Sequence, residues 1–442
     1  MKQRYNELTH ELCVRAVLDA LDGKWKRRDI MALVNKYGGV RYEEIVDALK
    51  NGYVWPMLEA ADGIALELEQ RIIDLMAGDA EAMDFEPVTV RMRPDGMTGK
   101  MRAIADLCPM LQIAGHLVKL GLEPLLKAKL EYGQCASIPK RGQTGLKRRV
   151  ERWLRRKSLG IRHARKTDVT SAYGTLLYSI CTNIIRPAVP SARWILALLA
   201  AIAAIAPGGH LIIGGYLDAW LFNLAMSYAV RYVLDLSKQR RGQKTPLVVR
   251  VVTHMDDFGL LGRREADVKS AARKLAQWME EELGLRLKLG KATTFLTTGE
   301  EHRRRKLPLP AQRGCPSLDM GGFRVHRTYT TIRKRIFIRC RRAYLRAGTD
   351  LEHRRPVKLK RAQRVQSYWG DFKHTASRRV RENLNAKEIK MICAQAIASA
   401  HRKERIYASR KSDVRHRTGK GDGGTAARRG QKNCFVCELW NF

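Results

Sequence analysis

The chain has 442 residues, 45% of them hydrophobic, with 83 Lys or Arg against 44 Asp or Glu and a formal net charge of +39. Its length and apolar content exclude a disordered chain and allow two or three domains. A positive charge of this size repels itself in a compact fold unless a polyanion neutralises it, so we expect a nucleic-acid partner and not a membrane surface.

Residues 1–85 carry apolar side chains at helical spacing, such as Ile64, Leu68 and Ile72, and predict a helical N-terminal extension. The next segment predicts a basic hairpin, because residues 88–93 and 101–104 are extended and the intervening Pro and Gly supply a turn.

Residues 140–166 are dense in Lys and Arg, and Val150, Trp153 and Leu154 give them one apolar stripe. We therefore predict a helix with a cationic face that lies along a phosphate backbone. Asp168 would follow this helix, where an acidic residue is more often a cap than a ligand. The cations assigned to nucleic-acid binding are Lys140, Arg141, Arg148, Arg149 and Arg152.

The apolar run at residues 194–206 is too short to span a bilayer and predicts a buried helix. Further along, residues 268–283 have helical spacing, Gly284 is placed to end that helix, and residues 285–289 alternate as a strand. Strand, helix and strand in this order predict a mixed α+β sheet domain. From residue 331 the chain is basic and helical, with a break expected at Trp369-Gly370, and residues 411–442 form a basic tail.

Nine scattered cysteines indicate a reducing, cytoplasmic compartment. Cys434 and Cys437 form a close pair without a second pair or a histidine nearby, which leaves metal binding there open.

The chemistry of the chain is indicated by Asp256 and Asp257, which lie side by side within the apolar, strand-like residues 251–262. Two adjacent carboxylates at the tip of a hydrophobic hairpin are costly to place unless a cation lies between them and a partner. Mg²⁺ is the expected cation and nucleotidyl transfer the expected task, with Asp168 as the third carboxylate.

In chain order, these segments resemble the motifs of the reverse transcriptase family. Asp168 and Tyr173 look like its first metal-binding motif, and His254-Met255-Asp256-Asp257 looks like its Tyr-x-Asp-Asp box. The other matches are Lys100 to Ile104 in the fingers, residues 132–143 in the second fingers block, residues 213–224, Gly284-Leu285 with Lys291, and the primer-grip turn Met320-Gly321-Gly322-Phe323.

The resemblance covers residues 86–345 and implies a right-hand polymerase. Residues 86–330 would be fingers and palm, residues 331–410 a basic helical thumb, and residues 1–85 and 411–442 the extension and the tail. The implied activity is RNA-directed DNA synthesis from dNTPs with two Mg²⁺ ions, Mn²⁺ being an alternative.

By the same resemblance, Asp168 and Asp256 would bridge the ions, Asp257 would support them and the Val169 carbonyl would complete a metal shell. Tyr173 would exclude a ribose 2′-hydroxyl. Lys100, Arg102, Gly214 and Lys291 complete the implied dNTP site.

The chain departs from the family pattern at three places: His254 replaces Tyr, Ile213 replaces Gln, and Asp218 with Ala219 replaces Ser-Pro. We expect the last two to alter how the template base and the incoming nucleotide are held.

Within this resemblance, the helical N-terminal extension and the basic tail favour a defence-associated bacterial enzyme that copies a structured noncoding RNA into DNA. Diversity-generating retroelements, retrons and group II introns are the alternatives, and a nonenzymatic RNA-binding scaffold is the alternative of another class. Priming mode and further partners, either a second copy or an accessory protein, stay open.

Overall fold

A computed structural model describes residues 4–94, 101–307, 315–400 and 402. The chain divides into two compact units, one containing the described residues up to Phe337 with His374–Ser377, and one containing the rest. Helices and strands are mixed, which confirms the α+β prediction in its coarse form. Among the described residues, no helix combines the length and the apolar character needed to cross a membrane.

Four helices come first, and they are those predicted for residues 1–85. α4 has Pro56 in its first turn, where the missing N–H would have no partner, and ends at Gly78, whose φ is +110°. Ile64, Leu68 and Ile72 are buried in one apolar core that continues into later helices. The bounds are α1 (His10–Leu21), α2 (Arg28–Tyr37), α3 (Tyr42–Asn51) and α4 (Trp55–Ala77).

The predicted basic hairpin is present as β1 (Thr89–Pro94) and β2 (Met101–Asp106), which pair antiparallel. Its turn, which includes Lys100, lies outside the described residues. The backbone N–H of Ala105 donates to the carbonyl of Ile213 at 3.0 Å, which joins β2 to a distant loop. Helices α5 (Pro109–Gly121) and α6 (Glu123–Lys129) follow.

The basic segment forms a helix and then a strand, so the prediction that Asp168 follows a helix is wrong. α7 (Gly142–Arg155) buries Val150, Trp153 and Leu154 as predicted. The chain then turns at Gly160, whose φ is +61°, and enters β3 (His163–Val169). Strands pair with β3 on both sides, and this long-range pairing overrides the local appearance of a basic helix.

The next elements surround the sheet. α9 buries Trp194, Leu198 and Ile202, which confirms the buried helix predicted for the apolar run. The bounds are α8 (Tyr178–Ile185), α9 (Arg193–Ile205), α10 (Tyr216–Asp235) and the hairpin of β4 (Ser237–Arg240) with β5 (Gln243–Pro246).

The central sheet contains β6 (Arg250–His254), β7 (Asp257–Gly262), β3 and β8 (Leu287–Thr294), in the order β6-β7-β3-β8 and antiparallel throughout. The helix predicted after the Asp pair is α11 (Glu265–Leu283), which ends at Gly284 with φ +63°.

The two sheet faces have separate cores. Phe258 and Leu260 pack in the core that contains α10 and α11, whereas Leu261 packs in the one that contains α7.

A small three-stranded sheet completes the first unit, with β9 (Leu318–Met320), β10 (Phe323–Val325) and β11 (Thr330–Ile332) after α12 (Thr298–Lys306).

The second unit is helical, as predicted, but the break expected at Trp369-Gly370 is wrong. The helix Leu359–Lys373 runs through both residues, because Phe372 beyond them is fully buried against Tyr344 of the preceding helix. The bounds are α13 (Lys334–Glu352), α14 (Leu359–Lys373), α15 (Arg378–Asn383) and a helical stretch at 386–400. The tail at 411–442, with Cys434 and Cys437, lies outside the described residues.

Candidate active site

The predicted carboxylates meet at one end of the central sheet. Asp168 on β3 is directly opposite Asp257 on β7, and Asp256 lies in the two-residue loop between β6 and β7. The N–H of Val169 donates to the carbonyl of Asp256 at 2.9 Å, which holds the loop against β3. Residues 88 positions apart in sequence are thereby brought into one acidic group.

This acidic group is partly buried and internally repulsive. Burial is the largest cause that raises the pKa of Asp256 and the pKa of Asp257, and the charge of Asp168 raises both further. The charges of Lys166 and Arg102 oppose the rise at Asp256. The group therefore favours a cation beside it.

One cation is already there, and sequence reasoning missed it. The Lys166 ammonium pairs with Asp257, with 2.7 Å between Nζ and Oδ1. The available signal was strand periodicity, because Lys166 stands two residues before Asp168 and side chains two apart in a strand share a face.

The acidic group has the donor chemistry of a magnesium site, since carboxylate oxygens are the ligands that Mg²⁺ prefers. Among the described residues, however, no three His, Cys, Asp or Glu side chains are gathered so that they could hold a metal as they stand. Asp257 is engaged with Lys166 instead.

Tyr173 lies beside the loop that carries Asp256. Its ring stacks on Phe222 of α10, with centroids 5.2 Å apart, and its hydroxyl contacts the Met255 sulfur at 4.0 Å. Burial, followed by the charges of Asp218 and Asp256, raises the pKa of Tyr173. Its ring is thus part of the core and also borders the acidic group.

His254 closes the β6–β7 hairpin opposite Asp257. Burial lowers the pKa of His254, although the Asp257 charge acts in the other direction. Burial therefore favours the neutral form of the His254 ring near pH 7.

The Asp218 side chain points inward and is 3% exposed. One carboxylate oxygen accepts from the Tyr178 hydroxyl and from the Ile212 N–H, both at 2.7 Å. A Cβ on Gly215 would lie 1.7 Å from the other oxygen. Asp218 therefore shapes the loop that carries Gly214, whose φ is +110°.

The segment at residues 132–143, predicted to be the second fingers block, is attached to the sheet next to the site. The backbone N–H of Cys135 donates to the Thr253 carbonyl, and the backbone N–H of Thr253 donates to the Gly133 carbonyl, both at 3.0 Å. These bonds extend the sheet beyond β6. A Cβ on Gly133 would meet the Val251 carbonyl at 2.0 Å, so the approach requires glycine. Gln134 is fully buried and donates to the backbone of Asn223 on α10.

The cations predicted to bind nucleic acid have different surroundings. Arg141 donates to the carbonyls of Glu131 and Gln134, so its guanidinium closes a loop. Arg149 stacks over the Tyr132 ring, 4.3 Å from its centroid. The remaining members of the set are exposed: Lys140, Arg148 and Arg152.

The predicted primer-grip turn packs close to the carboxylates. Gly321 and Gly322 connect β9 to β10 with φ of +55° and +83°, as a tight two-residue hairpin needs. Met320 and Phe323 are buried, and a Cβ on Gly259 would meet the Met320 sulfur at 2.7 Å. This contact positions the turn against β7.

The side chains of two residues predicted for the dNTP site, Lys100 and Lys291, are not among those that the structure describes. Lys100 lies outside the described residues, and so does the side chain of Lys291, whose backbone is in β8. Arg102 is exposed on β2.

No family model and no curated protein matches this chain. A Sicinivirus 3Dpol RNA-dependent RNA polymerase aligns with a TM-score of 0.30 and 12% identity over 50% of this chain, which spans about half (48%) of that polymerase. Apo telomerase from Candida tropicalis aligns with a TM-score of 0.43 and 10% identity over 91% of this chain and 81% of that one. Likenesses this low carry no functional argument.

The role of Asp218 gives a stability prediction. Asp218→Leu leaves the Tyr178 hydroxyl and the Ile212 N–H unpaired, so the free energy of unfolding in urea should fall by about 1–3 kcal/mol. Asp218→Asn keeps an acceptor oxygen and should lose less. Equal stability of the two variants would contradict this account.

Proposed function

We propose that the protein is a template-directed nucleic-acid polymerase, and more specifically an RNA-directed DNA polymerase. The observation that carries the proposal is the meeting of Asp168, Asp256 and Asp257 on paired strands, beside Tyr173 and within the field of Arg102. Carboxylates joined by a rigid sheet are suited to phosphoryl transfer, where positioning and charge stabilisation supply most of the catalysis.

The carboxylates would act as ligands. Asp168 and Asp256 would hold two Mg²⁺ ions, or Mn²⁺ in their place, with Asp257 in support and the Val169 carbonyl as a further oxygen donor. When bound, such ions lower the pKa of the primer hydroxyl and neutralise charge on the triphosphate. The β3–β7 pairing holds Asp168 and Asp257 at a fixed separation.

The nucleotide would lie between the hairpin β1–β2 and the carboxylates. Arg102, with Lys100, would neutralise the triphosphate, and Gly214 would allow close approach because it has no side chain. Lys291 would stabilise departing pyrophosphate. The Tyr173 ring, backed by Phe222, would stand under the sugar and exclude a 2′-hydroxyl.

The nucleic-acid partners follow from charge. A net charge of +39 and the exposed cations at Lys140, Arg148 and Arg152 suit an RNA template and a DNA product. The right-hand division into fingers, palm and thumb belongs to the same proposal, with Met320 to Phe323 as primer grip. We favour a cytoplasmic anti-phage defence enzyme that copies a structured noncoding RNA, ahead of a diversity-generating retroelement, a retron or a group II intron.

The activity is tested by primer extension on an RNA template with dNTPs and Mg²⁺. Asp168→Asn and Asp257→Asn should each reduce incorporation about a thousandfold, because several kcal/mol of charge stabilisation is lost. Asp235→Asn, an exposed change at the end of α10, is the matched control and should keep full activity. If wild type incorporates nothing, or Asp257→Asn equals wild type, the nonenzymatic RNA-binding scaffold replaces this proposal.

The sugar assignment makes a separate prediction. Tyr173→Ala should raise the rate of ribonucleotide relative to deoxynucleotide incorporation by roughly tenfold, which corresponds to about 1.4 kcal/mol. Tyr173→Phe keeps the ring and should keep the selectivity. An unchanged ratio in Tyr173→Ala would mean that the ring only packs in the core.

The template assignment is tested by sequencing the nucleic acids that co-purify with wild type and with Asp168→Asn. We expect one structured RNA with both proteins, and DNA complementary to it with wild type only. A mixture of unrelated host RNA, with no complementary DNA, would argue against a dedicated noncoding template.

A further inference from the structure

Lys166 lies beside Asp168, Asp256 and Asp257, and the proposed binding of metal ions by these carboxylates does not explain why a lysine is there. Its ammonium lies 2.7 Å from the Asp257 carboxylate, and the two side chains are 31% and 18% exposed. An ion pair so shielded from water is stronger than an exposed one. It also occupies Asp257, the carboxylate assigned above to support the divalent ions.

The position of Lys166 is fixed by both neighbouring strands. Its Cα partner on β7 is Gly259, which presents no side chain against it. On the other side, a Cβ on Gly290 of β8 would lie 2.4 Å from the Lys166 carbonyl oxygen, so the two backbones are in close contact. The side chain reaches diagonally past Gly259 to Asp257.

The remaining carboxylates lie next to this ion pair. Asp168 shares the strand face of Lys166 and is paired with Asp257. Asp256 is held to β3 through the Val169 N–H. Without Lys166, Asp168, Asp256 and Asp257 would repel one another in a partly buried place, which costs free energy in the folded state.

We propose that Lys166 is a built-in counter-cation, which occupies Asp257 in the metal-free protein and leaves it when a divalent ion binds. This inference rests on the proposed polymerase site. Because the ammonium and the ion compete for the same carboxylate, Lys166 weakens the affinity of the empty site for divalent ions. It also stabilises the fold before nucleotide and metal arrive together.

The test measures Mn²⁺ binding to the whole protein, without nucleotide, from the electron paramagnetic resonance signal of the free ion. Lys166→Met should bind Mn²⁺ at least fivefold more tightly than wild type and should melt at a lower temperature when no metal is present. Lys166→Arg keeps the charge and should resemble wild type. Combining Lys166→Met with Asp257→Asn should abolish the gain, since the competition is for that carboxylate.

Lys288→Met is the matched control for charge alone. Lys288 is exposed on β8 directly opposite Asp168, and within the described residues it makes no ion pair. It should change Mn²⁺ affinity much less than Lys166→Met. An equal gain in Mn²⁺ affinity from Lys288→Met would overturn the proposal. The loss of any positive charge near the carboxylates, and not the loss of the Lys166–Asp257 ion pair, would then explain the gain.

Unchanged or weaker Mn²⁺ binding by Lys166→Met would also overturn the proposal, since it would make Lys166 a structural support. If Lys166→Met does not fold, Lys166→Gln removes the charge with a polar side chain and must show the same gain. A wild type that binds Mn²⁺ with this lysine dependence but incorporates no dNTP would contradict only the polymerase assignment. A wild type that polymerises without the lysine dependence would contradict only this inference.

Discussion

The pairing of β3 with β7 is the constraint on which the candidate site depends. Its register places Asp168 opposite Asp257 and Lys166 opposite Gly259. A slip of β3 by one residue would turn the Asp168 side chain to the opposite face. Apolar packing opposes such a slip, because Phe258 fills the core under the helices while Gly259 receives the Met320 sulfur on the other face. The geometry of the acids is therefore set by residues that take no part in chemistry.

The acidic group is tolerable in the folded protein because cations and backbone offset it. Burial and mutual charge raise the pKa of Asp256 and the pKa of Asp257, while Lys166 opposes both shifts. The loop that carries Asp256 is tied to β3 by a backbone hydrogen bond from the Val169 N–H. The positions of Asp168, Asp256 and Asp257 are thus set by strand pairing and backbone hydrogen bonding.

Much of this arrangement could be predicted from sequence, and the failures share one cause. The hairpin β1–β2, the helix α11 with Gly284 at its end, and the pair Asp256-Asp257 are signalled by residues close together in the chain. The strand β3 is not, because its two pairing partners lie about a hundred residues away and its own composition is that of a basic helix. The break expected at Trp369-Gly370 fails for the same reason, because the burial of Phe372 against Tyr344 leaves no local signal.

Asp218 bears on the scaffold around the acids. Asp218 holds the N–H of Ile212, and the next residue, Ile213, accepts from Ala105 of β2. That strand carries Arg102, whose charge opposes the raised pKa of Asp256. The buried Asp218 carboxylate is thus linked through successive backbone contacts to the strand that carries Arg102. Because Asp218 is inaccessible to a template base, its effect on the site has to run through the position of this loop and strand.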